Sequence, residues 1–340
     1  MHMADALISP PVGGFMWAAS AAAIGISVKK ISGGKLDEKK IPMMGIMGAF
    51  VFAGQMINFT IPGTGSSGHI CGGLLLAALL GPAGALIVLA SVLLIQCLFF
   101  ADGGLLAYGC NVFNMGVTSA VLGYLLIYKP MVGKTLTKAR ISIASVAACV
   151  VGLQIGAFLV VVETLISGVT ELPLGAFLVA MQPIHLAIGF VEGLITAAVL
   201  SFVHQARPEI IETSIAGEKI APSVSLKKIL ITFGVLAAVI AGGLSIFASA
   251  YPDGLEWSLE KTAGTSELEQ EGPAWRAAAD VVEKTAVLPD YAFKNGSETS
   301  ETAGTVTAGL VGSIITVILA CGIGFVINGL RRKKISEHHT

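Results

Sequence analysis

The chain has 340 residues, of which 54% are hydrophobic and only 13% are charged. Soluble domains carry about 25% charged residues, so the composition excludes an ordinary soluble protein and indicates a multi-pass membrane protein. The formal net charge of −1 points to no particular partner. We expect the chain to lie in membrane lipid and to bind no nucleic acid.

The amino terminus begins Met1-His2-Met3. The α-amine of Met1, the backbone nitrogen of His2 and Nδ1 of the His2 ring can close on one metal ion in two fused chelate rings. These nitrogens lie at three corners of a square, which suits Ni(II) or Cu(II), whereas zinc prefers a tetrahedron. The alternative is an accidental Met-His start. The pattern therefore predicts a metal site that still needs one ligand.

Apolar stretches predict eight long membrane spans and one short apolar segment. The short segment, from Gly72 to Leu80, would reach only about 13 Å as a helix, which is under half of a bilayer core of roughly 30 Å. The long spans are predicted at residues 12–28, 41–59, 83–99, 105–127, 141–167, 174–203, 229–249 and 305–330.

Basic residues cluster in four polar segments: 29–40, 128–140, 207–228 and 331–334. The positive-inside rule places such segments in the cytoplasm, so we expect the amino terminus outside and the carboxyl terminus in the cytoplasm. This topology needs two passages between residues 70 and 100. The Gly81-Pro82 pair must then turn the short segment back into the next span.

The loop from Ile61 to Gly73 is rich in glycine and serine and contains His69. Irregular backbone at membrane depth is tolerated only inside protein or beside water, and its position before a half-length helix is typical of transporter substrate sites. The loop and the amino terminus both start from the outer face, so His69 can complete the square. A structural histidine bonded to nearby carbonyl groups is the alternative.

Further polar residues leave two interpretations open. Asp5 can reach the Met1 amine or the His2 ring, or it can cap the first helical turn. Asp102 and the pair Asn111 and Asn114 can orient the metal ligands or cap and pack helices.

His185 and Glu192 are seven residues apart and therefore share a helix face. They can form a second metal site, although a structural pair or a contact region for a partner is the favoured interpretation. Several catalytic motifs are missing from the sequence. No H-E-x-x-H occurs, and no complete Walker A motif occurs, because Tyr128 stands where its first glycine is required. We therefore expect a transport subunit that is no enzyme and has no ATP site of its own.

Composition divides the chain into two modules. We predict a membrane domain at 1–204, a cytoplasmic linker at 205–228 and a second module at 229–340, whose acidic loop 251–304 lies outside. Because this second module lacks the ligand pattern, we expect deletion of its loop to spare metal binding.

Five motifs, in order, resemble the substrate-binding (S) component of energy-coupling factor (ECF) nickel/cobalt transporters, the NikM/CbiM family. They are Met1-His2 with Asp5, the loop from Gly63 to His69, and the stretches 101–104, 111–116 and 185–196. The segment from Pro252 to Glu256 reads P-D-G-L-E and resembles the two-span NikN/CbiN partner. The chain thus resembles a fused NikMN/CbiMN-type protein. Met3 and Ala6 depart from commoner forms of the opening motif, which leaves nickel versus cobalt open.

The resemblance implies an all-α membrane protein with a seven-segment S-component bundle and a two-span C-terminal module. It implies metal ligation by Met1, His2 and His69, with Ni(II) as the transported substrate, Co(II) as the second choice and no organic cofactor. It also implies a bacterial or archaeal cytoplasmic membrane, and a transmembrane coupling subunit and ABC-type ATPases as partners.

We therefore expect the protein to capture Ni(II) or Co(II) from outside and to deliver it through an ATP-driven ECF importer. The alternative is a stand-alone secondary carrier or channel for divalent cations. A carrier is expected to place carboxylates along its path, and the intramembrane acids here are essentially Glu163 and Glu192. An intramembrane metalloenzyme would lack a general base beside its metal.

Overall fold

The computed structural model describes residues 1–35, 38–133, 135–294 and 298–337. Residues 295–297 of the predicted acidic loop and 338–340 of the predicted second module lie outside the described residues. The helices in chain order are α1 Pro10–Lys30, α2 Lys40–Gln55, α3 Gly73–Leu80, α4 Pro82–Phe100, α5 Tyr108–Asn111, α6 Lys129–Val132, α7 Lys138–Ser167, α8 Leu174–Ala206, α9 Pro208–Ala216, α10 Lys227–Gly242, α11 Gly254–Ala263, α12 Pro273–Thr285 and α13 Glu298–Glu337.

Two of the connections between these helices bear on the site. A π-helical stretch, Val112–Tyr128, joins α5 to α6. The strands β1 Phe59–Ile61 and β2 Ser66–Gly68 form an antiparallel pair in which Phe59 lies opposite Gly68. The predicted all-α membrane protein is confirmed, because helices dominate and this short hairpin is the strand structure of the described chain.

Among the described residues, six helical segments are long and apolar enough to cross a membrane: Pro10–Gly33, Pro82–Phe100, Tyr108–Val132, Lys138–Ser167, Leu174–Ala206 and Thr302–Leu330. Helices α2 and α10 have 16 residues each and so reach about 24 Å. Two predicted spans end early in the structure. The span predicted at 41–59 ends at Gln55 because the β-hairpin follows, and that at 229–249 ends where Gly242 and Gly243 interrupt the helix.

The predicted turn after the short apolar segment is present. Helix α3 ends at Leu80, α4 begins at Pro82, and the two helices pack against each other. Gly81 has φ +83°, a conformation that side chains disfavour, and Pro82 suits the first position of the new helix. The Gly81-Pro82 pair thus ends one helix and starts the next.

Glycines allow α7 and α8 to lie in close contact. A Cβ atom on Gly189 would lie 2.9 Å from the Cα atom of Val150, and one on Gly193 would lie 2.5 Å from the Cα atom of Val146. Small residues at such contacts let helix backbones approach each other in lipid. The second module packs onto the first through α10 and α13, both of which contact α2.

Glu192 of α8 holds the irregular backbone in front of α3. Its Oε2 and Oε1 atoms accept hydrogen bonds from the backbone nitrogens of Cys71 and Gly72, at 2.8 and 2.9 Å. The N–H groups at the start of a helix have no partner within it and favour a negative charge nearby. Glu192 is 1% exposed, so this carboxylate links the His69 loop to α8 rather than pairing with His185.

We expect Glu192→Ala to lower the free energy of unfolding by about 1–3 kcal/mol, because two buried backbone donors lose their acceptor. Thermal unfolding of the detergent-solubilised chain measures this. Glu260→Ala, at an exposed position of α11, is the control and should change the free energy by less than about 0.5 kcal/mol. Equal effects of the two substitutions would contradict the role assigned to Glu192.

Candidate metal centre

The amino terminus is folded into the protein. Met1 is 8% exposed and Met3 is fully buried. The backbone nitrogen of Met3 donates to Oδ1 of Asn111 at 2.7 Å, and Nδ2 of Asn111 donates back to the Met3 carbonyl at 3.1 Å. Gly104 donates its backbone N–H to the same carbonyl at 2.9 Å. Asn111 and Gly104 therefore fix the chain immediately after the predicted ligands.

The structure brings the three predicted ligand residues together. The Met1 amine nitrogen lies 3.5 Å from Nε2 of His69, and the rings of His2 and His69 stack with centroids 5.1 Å apart. Nδ1 of His69 donates to the carbonyl of Ile70 at 3.0 Å, which leaves the Nε2 lone pair directed to the amine. A backbone carbonyl on the second ring nitrogen is the usual way to orient a metal-binding histidine.

The His69 ring is neutral in this position. Burial first, and then the positive charge of the terminal amine, lower the pKa of His69 to about 3. The neutral imidazole is the form that binds metal ions.

His2 faces a carboxylate of the loop after α4. Its Nδ1 lies 2.7 Å from Oδ1 of Asp102, and its Nε2 is buried without a hydrogen-bond partner among the described residues. Oδ2 of Asp102 accepts from the Tyr291 hydroxyl at 2.5 Å. Burial alone would raise the pKa of Asp102, but the His2 ring and these two hydrogen bonds hold it at about 2. For the predicted chelate, Nδ1 must exchange Asp102 for the metal ion.

The Met1 amine forms an ion pair with Oδ2 of Asp253, a residue that the sequence did not single out as part of the site. Asp253 precedes α11, and its Oδ1 caps that helix by accepting from the backbone nitrogens of Leu255 and Glu256, at 2.7 and 2.9 Å. Burial alone would raise the pKa of Asp253, but the positive charge of the terminal amine holds this pKa below its usual range.

The second module therefore reaches the candidate site through the side chains of Asp253 and Tyr291. The expectation that deletion of its loop spares metal binding stays a prediction. Asp253 and Tyr291 both lie in the predicted outer loop. The D-x-x-E spacing of Asp253 and Glu256 is a sequence signal for a helix start, and the capping box is present. This spacing identifies Asp253 as a helix cap, but it cannot identify Met1, which lies 252 positions away, as a partner of Asp253.

The remaining candidates occupy other positions. Asp5 reaches neither the amine nor the His2 ring but accepts from the backbone nitrogen of Ala107 at 2.9 Å. Nδ2 of Asn114 donates to Glu163 at 2.7 Å. His185 does not pair with Glu192, and its Nδ1 lies 2.7 Å from the carbonyl oxygen of Met181.

A cavity of about 670 Å³ opens beside the two stacked histidines. Six carboxylates line it, from Asp5, Asp102, Asp253, Glu256, Glu267 and Asp290. A cleft of one sign of charge raises the local concentration of ions of the opposite sign. In the described part of the chain, no three His, Cys, Asp or Glu side chains converge as a metal site.

Comparison with known proteins gives matches over both modules. Residues 2–210 match the CbiM family, described as the cobalt uptake substrate-specific transmembrane region, and residues 227–329 match the PDGLE domain. A putative fused nickel transport protein NikMN of Archaeoglobus fulgidus is 34% identical over 319 residues, which cover 94% of this chain and 96% of that protein.

Two further matches agree. The cobalt transport protein CbiM of Geobacter sulfurreducens is 30% identical over 291 residues, or 80% of each chain. A crystal structure of a transition metal transporter is 31% identical, with a TM-score of 0.54, and the match covers 63% of this chain and 97% of the other. With its apolar helices and these relatives, the chain belongs to the CbiM family of nickel and cobalt transport proteins, as a multi-pass membrane member that carries a PDGLE domain.

Proposed function

We propose that the chain captures Ni(II), with Co(II) as the second substrate, through Met1, His2 and His69 at its outer face. The observation that carries this proposal is the 3.5 Å approach of the Met1 amine to Nε2 of His69 beside the stacked His2 ring. Nickel and cobalt are the ions named for the relatives in A. fulgidus and G. sulfurreducens.

The donor set suits nickel. The Met1 amine, the backbone nitrogen and Nδ1 of His2, and Nε2 of His69 supply four nitrogens for one plane. Square-planar nitrogen ligation is typical of Ni(II) and Cu(II), whereas zinc sites are tetrahedral. The Irving–Williams order favours copper over nickel, so discrimination against copper in cells rests on metal availability.

Metal binding requires two exchanges at this site. The amine must release Asp253, and Nδ1 of His2 must release Asp102. Both carboxylates remain beside the site, in the wall of the outer cavity, and can then balance the charge of the bound ion. Loss of protons from the ligands accompanies such binding.

Delivery is proposed to follow the ECF scheme. A metal-binding domain at 1–204, a cytoplasmic linker at 205–228 and a PDGLE module at 229–340 would work with a coupling subunit and ABC-type ATPases. The amino terminus would lie outside a bacterial or archaeal cytoplasmic membrane and the carboxyl terminus inside. The resemblance of the motifs and the positive-inside pattern support this arrangement.

The buried acids favour capture over a stand-alone carrier. Glu163 accepts from Asn114, and Glu192 accepts from the backbone of Cys71 and Gly72. Both carboxylates thus hold neighbouring structure, whereas a carrier path needs groups that can exchange their partners for the moving ion.

We expect a short extension before Met1 to abolish Ni(II) binding, because it turns the α-amine into an amide and moves the new amine out of the chelate ring. The same residues added after Thr340 form the matched control and should leave the affinity unchanged. Equilibrium dialysis of the two purified chains against Ni(II) measures both. Equal affinities would refute the terminal chelate.

We also expect His69→Ala to weaken Ni(II) binding by at least about 100-fold, since loss of an outer-shell partner alone typically costs 10–100-fold and His69 is a proposed ligand. His204→Ala, at the end of α8, is the control and should bind as the unmodified chain does. Near-normal affinity of folded His69→Ala protein would show that His69 is not the fourth ligand of the proposed square.

A further inference from the structure

A second, much smaller cavity lies next to the candidate metal centre. Its volume is about 10 Å³, and its walls include Met1, His69, Cys71, Met115 and His185. A space of this size is near the minimum for one water molecule and therefore suits a single small guest such as a metal ion. His69 and Asp253 line both this cavity and the outer one, so they form the wall between the two.

His185 presents an unused nitrogen in this place. The side chain is 0% exposed, and Nε2 is buried without a hydrogen-bond partner among the described residues. Nδ1 donates to the Met181 carbonyl at 2.7 Å, one turn earlier in α8, and this leaves the lone pair on Nε2. Burial of an unpaired polar atom is costly, and the arrangement of carbonyl and imidazole is the one that orients metal-binding histidines.

The PDGLE module covers His185 from the outer side. A Cβ atom on Gly254 would lie 3.1 Å from Cε1 of His185 and 2.6 Å from Cγ2 of Ile184. A side chain at position 254 would therefore force Ile184 or the His185 ring to shift. The backbone next to Asp253 thus closes the small cavity while Asp253 itself holds the Met1 amine.

The other donors around the cavity are weaker. Sγ of Cys71 donates to the Met115 carbonyl at 3.2 Å and lies 3.4 Å from the Ser119 hydroxyl. The sulfur thus retains its proton, whereas the thiolate is the metal ligand. Imidazole suits nickel better than a neutral thiol or thioether does. His185 is therefore a better ligand than Cys71, Met1 or Met115, and His69 and Asp253, which also line the cavity, already contact the Met1 amine.

We propose that Nε2 of His185 is the main ligand of an inner, weaker metal site, which accepts the Ni(II) or Co(II) ion from His69 when the terminal chelate opens. This inference rests on the proposed function of Met1, His2 and His69. His69 is the shared element, because it lines both cavities and can stay bound while the other ligands change.

Binding of Ni(II) to four full-length chains tests the inner site: the unmodified protein, His2→Ala, His185→Gln and the double variant. His185→Gln alone should leave the affinity within about twofold, because the terminal chelate dominates. His2→Ala should weaken binding, and adding His185→Gln should weaken it at least about tenfold more. Equal affinities of His2→Ala and the double variant would overturn the inner site and leave the terminal chelate intact.

The same four chains separate the two proposals. If His2→Ala binds as tightly as the unmodified protein, the terminal chelate fails, and a loss in His185→Gln alone would still support a site at His185. Nickel-edge X-ray absorption of the Ni(II)-loaded His2→Ala chain does not depend on the folding of any His185 variant. It should show two imidazole ligands, from His69 and His185, and a single imidazole would overturn the proposal.

Uptake tests the transfer step. In cells that contain the protein's own transport partners, His185→Gln should lower the initial rate of Ni(II) uptake at least about tenfold while the affinity for capture is retained. His204→Gln is the matched control and should transport normally. Normal uptake by His185→Gln would overturn the assigned transfer from His69.

Discussion

The positive charge of the Met1 amine lies inside the protein, and the structure around it depends on the carboxylate that faces it. An unpaired buried ammonium group is very costly, so the amino terminus cannot occupy this position without a counter-charge. Asp253 supplies that charge with one oxygen and caps α11 with the other. A single side chain thereby joins the amino terminus to the first turn of α11, which belongs to the second module.

In the proposed site, metal binding leaves the local charge nearly unchanged. A protonated amine carries one positive charge. A divalent ion bound to a neutral amine and a deprotonated backbone nitrogen also brings one net positive charge. Asp253 and Asp102 therefore face about the same charge before and after binding, and these half-buried carboxylates need not be neutralised. Because the charge is nearly the same in both states, Asp253 and Asp102 can lie beside the proposed nitrogen ligands without binding the metal ion themselves.

The helices and the short segment α3 could be predicted from the sequence, because they depend on neighbouring residues. Runs of apolar residues indicate the helices, and the Gly81-Pro82 pair indicates the turn between α3 and α4. His69 could also be identified, since a glycine-rich loop before a half-length helix has few other uses in a membrane. The contacts of the proposed ligands with the second module could not be predicted. Asp253 and Tyr291 meet Met1 and Asp102 across 252 and 189 positions, and no periodicity encodes such contacts. The hydrogen bond that Asp5 accepts from the backbone of Ala107 could not be predicted either. A contact of this kind leaves no distinct pattern in the sequence.

The packing of α10 and α13 onto α2 has a consequence for the encounter of the two modules. Because both belong to one chain, docking of the PDGLE segment on the amino terminus is an intramolecular event. The effective concentration of a linked partner is set by the length and stiffness of the connection, and here the connection includes helix α9, which packs on α3 and α8. Individually weak contacts, such as the ion pair of Asp253 with the Met1 amine and the packing of Gly254 against His185, can then persist.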